Sequence, residues 1–333
     1  MTADDMRRAR EALAAARDLS RTADARSGAR GPSMGQRFPQ STRAIALAAE
    51  QFARIGLDPA KLEPELAAQR AEDDRRLKEI KADAVAQSAA RAASLRRLTD
   101  AERSALEGLA ATTGNGSGTQ YFALDSPVEI WATDGVAIES STIEPYNSRA
   151  KIRRDDSIYR SVDEAILSGV TKFLHFYYLW ENPRQDAYVS VNVNALLTLN
   201  GFCSAHSRGA VFPGGKAKLS LAPTLDLVQT WTVPISSAAP QSGASQTAVD
   251  ITADSEGVFT HDQTVYAVEF RGFALSYDQE IVPPGQNLII DVALSIYDDV
   301  DNGEVSADFA TGEFYVLSPL VQLAILASRS DTA

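Results

Sequence analysis

The chain has 333 residues, 44% of them hydrophobic, and a formal net charge of −12. That length and apolar share suffice for one large core or two smaller ones, and a single cysteine, Cys203, excludes an intrachain disulfide and any cysteine-rich zinc site. No apolar run approaches the roughly 18 residues that a membrane-crossing helix requires, so no transmembrane helix is expected.

The charge is distributed unevenly. Residues 1–110 carry 20 basic and 17 acidic side chains, and the remainder carries 12 basic and 27 acidic. An acidic second part repels polyanions, so nucleic acid is not an expected partner. The lone thiol and the absence of an apolar leader at the start fit a cytoplasmic or particle-associated protein better than a disulfide-stapled secreted one.

Residues 1–111 are rich in Ala, Arg and Glu and poor in β-branched and aromatic residues, and read as a helical arm. Met6–Leu19 has the pattern of a short amphipathic helix. Residues 27–42 are rich in Gly, Pro and Ser and read as loop or disorder. Ile45, Leu47, Ala48 and Phe52 share helical spacing, with Gly56 as the stop. Asp58-Pro59 then supplies a cap and a first-turn proline. Glu65–Leu98 is the longest expected helix, with a thin apolar stripe of Leu66, Leu77, Ile80, Val85, Leu95 and Leu98. That stripe is too sparse for a leucine zipper, so the helix is expected to dock on a partner or fold back as a hairpin. Thr99-Asp100-Ala101-Glu102 is a capping box that starts a further helix.

Residues 112–118 (TTGNGSG) read as a hinge. Beyond it, 119–333 is a succession of short alternating runs, which predicts an all-β antiparallel sandwich, jelly-roll or Ig-like. The fold class is therefore α+β by segregation. Val128–Thr133 is a strand. Ser161–Gly169 has a capping box and a glycine stop, and reads as a short helix. Lys172–Trp180 is apolar on both faces, which predicts a strand covered on both sides or facing a partner. Val189–Thr198 alternates cleanly, and Asn200-Gly201 is a hairpin-turn signal. Leu225–Val233 is a strand, Pro234–Thr247 a small-residue loop, and Val265–Phe273 a further strand. Leu288–Ile296 is entered from the turn Pro283-Pro284-Gly285. Asp301-Asn302-Gly303 and Ala310-Thr311-Gly312 are the last two turn signals.

Chemistry-bearing clusters are sparse. Asp298, Asp299, Asp301 and Glu304 surround a tight turn and could direct several oxygens to one calcium, although the spacing fails the EF-hand pattern. No other cofactor is expected. Asp250, Asp254, Glu256 and Asp262 form a second acidic cluster. Cys203 and His206 are three apart in a strand, so they point to opposite faces and are a poor metal pair. His175 lies within an apolar strand and reads as a hydrogen-bonded core or edge histidine. Trp180 and Trp231 fall on apolar phases and read as core.

These patterns predict a non-enzymatic structural or binding protein. The arm, residues 1–111, would mediate self-association or entry into a larger assembly such as a phage-like particle, and the sandwich would present a recognition surface. Three alternatives remain open. They are a carbohydrate- or calcium-dependent recognition module with a glycan partner, a hydrolase with a dispersed Asp/Glu pair, and a pore-forming protein.

Overall fold

A computed structural model describes residues 54, 64, 67–69, 71–92, 119–158, 169–208, 215–231, 241–255 and 261–326. One long helix, α1, covers residues 71–92. Thirteen strands follow among the described residues: β1 Thr119–Leu124, β2 Glu129–Ala132, β3 Ala137–Thr142, β4 Ser148–Ile158, β5 Val170–Glu181, β6 Val189–Arg208, β7 Gly215–Gln229, β8 Gln241–Ser245, β9 Val249–Ser255, β10 His261–Val282, β11 Asn287–Asp301, β12 Gly303–Phe309 and β13 Tyr315–Leu326. The expected helices N-terminal to residue 54, the capping-box helix after Thr99 and the short helix at 161–168 lie outside the described residues.

The strands form two antiparallel sheets packed as a β-sandwich. The first sheet runs β1-β13-β4-β12-β6-β10, with β3 added beside β4, and the second runs β2-β5-β11-β7-β8, with β9 also on β7. The alternation read from the sequence decides which side chains meet between them. Val189, Val191, Val193, Leu197 and Leu199 of β6 and Leu288, Ile290, Val292, Leu294 and Ile296 of β11 all lie in one buried cluster. Each such side chain stabilises the fold by about 1.5–3 kcal/mol of transfer free energy. A polar link crosses this core: Tyr178 of β5 donates its hydroxyl to the Ser318 carbonyl of β13 at 2.8 Å.

Two connections differ from the expected hairpins. Asp301-Asn302-Gly303 is a turn, with Asn302 at a φ of 59°, but it carries the chain from β11 in one sheet to β12 in the other. It is a corner of the sandwich. Asn200-Gly201 is no turn at all, because β6 runs through it without interruption. The glycine answers a different demand. A Cβ on Gly201 would press into the Phe309 ring and stand 2.8 Å from the Asp308 carbonyl oxygen. The signal marks a close approach of strands, which calls for the same missing side chain as a turn does. The Pro234–Thr247 loop is also shorter than expected, because Gln241–Ser245 adds to β7 as an edge strand.

Strands β12 and β13 occupy one slot. Phe309 pairs with Ile152 and Val316 with Ala150, so seven residues of travel cover two positions on β4. The same offset appears on β6, where Asp308 faces Phe202 and Tyr315 faces Asn200. Residues 310–314 are therefore a five-residue excursion from a single long strand path. Gly312, at a φ of 60°, brings this loop up against Val85 of α1.

Candidate functional site

Helix α1 lies on the outer face of the first sheet. Its inward stripe is Asp73, Leu77, Lys81, Ala84, Val85, Ser88 and Ala92, which are the residues with reduced exposure and follow the 3.6-residue period. The stripe is mostly small or polar, with Leu77 and Val85 as its larger apolar members, which explains why large apolar residues are few along this helix. Among the described residues four ties attach it. Lys81 reaches Asp308 of β12 at 2.6 Å. Asn200 of β6 donates its side-chain amide to Ser88 Oγ at 2.8 Å. Arg91 pairs with Glu269 of β10. Asp73 pairs with His261 of β10.

Asp308 is the centre of this seam. Its carboxylate accepts the backbone amides of Ala310 and Thr311 at 2.9 and 3.0 Å and the Thr311 hydroxyl at 2.6 Å. Burial pushes its pKa up, but Lys81, Thr311 and the two amides outweigh that effect and hold it at about 2. One carboxylate thus caps the 310–314 loop and anchors the helix. The same Asn200 that anchors Ser88 also donates to the Glu313 carbonyl at 2.6 Å. Nothing in the sequence announces Asp308 as a hub, because its partner in the helix, Lys81, comes from a distant stretch of chain.

The four acidic residues of the 298–304 corner leave it in three directions. Asp298 faces the other sheet and binds Arg154 Nε of β4 at 2.6 Å, with Arg154 reaching Asp156 at 2.7 Å. Burial raises the Asp298 pKa above its ordinary value against the pull of Arg154. Asp299 and Asp301 take the opposite phase of β11 and stand across from Lys218 and Lys216 of β7. Glu304, already in β12, approaches His206 Nδ1 at 3.2 Å. Strand alternation separates what the sequence places side by side. Among the described residues no group of three or more His, Cys, Asp or Glu side chains converges in a manner suited to a metal. In the second acidic cluster Asp250 pairs with Lys218 at 3.2 Å, and Asp262 accepts the Asp254 amide at 3.0 Å. Glu256 lies outside the described residues.

The histidines and cysteine fall as the strand phase dictates. Cys203 is wholly buried in the core, while His206 is on the opposite face of the same strand. Burial pushes the Cys203 thiol far up, so it is an inert structural thiol. His175 is 3% exposed. It donates Nδ1 to Asp291 at 2.8 Å and stacks between Trp131 and Tyr177 at 5.2 Å from each ring. An imidazole bound to a carboxylate is the orienting half of a general base, yet here the ring is enclosed by aromatic neighbours and acts as a packing pin. Trp180 is buried and meets Phe122 edge-on at 5.9 Å.

No protein-family model and no curated protein matches the chain. Among solved structures, a carbohydrate-binding module of the β-sandwich superfamily is 10% identical with a TM-score of 0.21, covering 59% of this chain and 57% of that one. The CBM22-1 xylan-binding domain of Paenibacillus barcinonensis Xyn10C is 10% identical with a TM-score of 0.20, covering 64% of this chain and 99% of that one. The infectious bursal disease virus Gx strain structure is 7% identical with a TM-score of 0.17, covering 63% and 38%. These likenesses concern the β-sandwich alone.

Proposed function

We propose that the protein is a non-enzymatic structural or binding protein, in which the arm containing α1 serves assembly or docking and the sandwich presents a recognition surface. The observation that carries this reading is the chemistry of the α1 seam. Among the described residues the helix is attached by four polar ties and by small residues, Ala84, Ser88 and Ala92, with only Leu77 and Val85 as larger apolar contributors. Contacts of this kind are reversible in water, because each exposed half is readily solvated. They suit an element that trades one seat for another. No transmembrane helix occurs among the described residues.

Light-scattering mass on a sizing column tests the reading, with the full chain compared with one beginning at Gly118. A defined oligomer for the full chain and a folded monomer for the shorter one is the expected result. A full chain that stays monomeric at every concentration and captures no partner assembly overturns it.

A further inference from the structure

The 310–314 loop forms a ridge on the outer face of the first sheet. Helix α1 occupies its β6–β10 side. On its β3–β4 side lies a shallow groove of about 190 Å³, open to solvent. Strand β4 forms the floor. Because Ala150 and Ile152 point into the core, Arg149 and Lys151 point out into the groove. Thr142 of β3 pairs directly with Arg149, and Ser140 with Lys151. Tyr315 and Glu313 form the wall on the ridge side.

The lining is unusual for this molecule. The sequence beyond residue 110 carries 27 acidic against 12 basic side chains, yet this groove holds two cations and one carboxylate among its lining residues. Lys151 donates to the Ala310 carbonyl at 3.3 Å and to the Gly312 carbonyl; these contacts fix its position and leave its charge uncompensated. Arg149 makes no hydrogen bond or ion pair among the described residues. A half-buried guanidinium with open donors is matched by a planar oxyanion that accepts two parallel hydrogen bonds. The hydroxyls of Ser140 and Thr142 flank it, and they suit a ligand with hydroxyl groups of its own. A polyanion is disfavoured by the acidic surroundings.

We infer that this groove binds a saccharide carrying a carboxylate, a uronic or sialic type of sugar. Arg149 takes the carboxylate, Ser140 and Thr142 take ring hydroxyls, and Tyr315 offers an aromatic surface beside them. The site is separate from the α1 seam and does not depend on the assembly reading.

Calorimetry on the full chain with digalacturonate and sialyllactose, against lactose and inorganic phosphate, tests the assignment. The expected result is binding of at least one acidic sugar, at least tenfold tighter than lactose. Arg149→Gln is expected to lower that affinity at least tenfold, with partial recovery in Arg149→Lys, and the Ser140→Ala, Thr142→Ala double variant to lower it several-fold. Melting temperatures of the variants monitor folding, and the acidic-against-neutral comparison on the native chain stands without any variant. Absence of binding at millimolar sugar, or equal binding of lactose, overturns the inference. Phosphate binding as tightly as the sugars, with the hydroxyl variants silent, also overturns it and assigns the groove to simple anions.

Discussion

Lys81 Nζ lies 2.6 Å from Oδ2 of Asp308, and that carboxylate is 1% exposed. Helix and sheet are therefore joined through a carboxylate whose pKa is held down at about 2. The ordinary unfolded value is about 3.9. The folded value lies below it, so the stabilisation from Asp308 is complete above about pH 4 and is lost as the pH falls towards 2. Urea unfolding between pH 5 and pH 2 is expected to show this loss, of about 2 kcal/mol. Asp308→Asn is expected to remove that part of the slope, and Lys81→Met to shrink it, because the folded value then rises towards the unfolded one.

Gly201 and Gly272 offer a matched comparison within adjacent strands. A Cβ at Gly201 collides with the Phe309 ring and the Asp308 carbonyl, whereas at Gly272 the nearest atom, Leu196 Cδ1, is 3.5 Å away. Gly201→Ala is expected to cost about 1–3 kcal/mol through overpacking. Gly272→Ala is expected to be neutral or slightly stabilising. Melting temperatures of the two variants decide it.

Arg154 and Asp298 join the two sheets across the end of the sandwich. Replacing Asp298 with Ala leaves Arg154, whose side chain is 11% exposed, with Asp156 as its remaining acidic partner, and is expected to cost about 1–3 kcal/mol. Changing Arg154 to Leu and Asp298 to Leu together is expected to recover much of that loss. A double-mutant cycle in denaturant that shows additive costs would refute the coupling.

The same pair governs how the 298–304 corner responds to calcium. Asp298 is engaged by Arg154, and its three acidic neighbours face elsewhere. Millimolar calcium is expected to leave the melting temperature unchanged. A rise that disappears in Asp301→Asn would show that the corner rearranges to take the ion.

Tyr178 carries a second polar link between the sheets. Tyr178→Phe leaves the Ser318 hydroxyl and carbonyl buried without that partner, and is expected to cost about 1–2 kcal/mol. Ser318→Ala, which keeps the carbonyl bond, is expected to cost less. Equilibrium unfolding of both variants provides the comparison.

Strand content was legible because a half-buried sheet imposes a period of two. Val189 to Leu199 and Leu288 to Ile296 reveal both the strands and the buried face. The partners of those strands were not legible. Asn200-Gly201 has the composition of a turn, yet the glycine serves the Phe309 ring, and only the packed sheet reveals that. Asp298, Asp299, Asp301 and Glu304 are neighbours in sequence, but the strand phase and the step between sheets send them to different faces. The seat of α1 was invisible for a related reason. Asp308, Asn200, Glu269 and His261 come from three strands, β12, β6 and β10, each unremarkable alone. The helix announced itself only by its scarcity of large apolar residues, which fits docking on a polar face as well as solvation.

The five residues that leave the sheet between β12 and β13 return the chain to the same slot, with pairing secure on both sides. That arrangement separates frame from fitting. The excursion can change length or chemistry without altering the register of β4 or β6, much as a bracket can be exchanged on a fixed rail. Its two flanks, the helix seat and the polar groove, would change together whenever it did. Selection acting on one would leave its trace on the other.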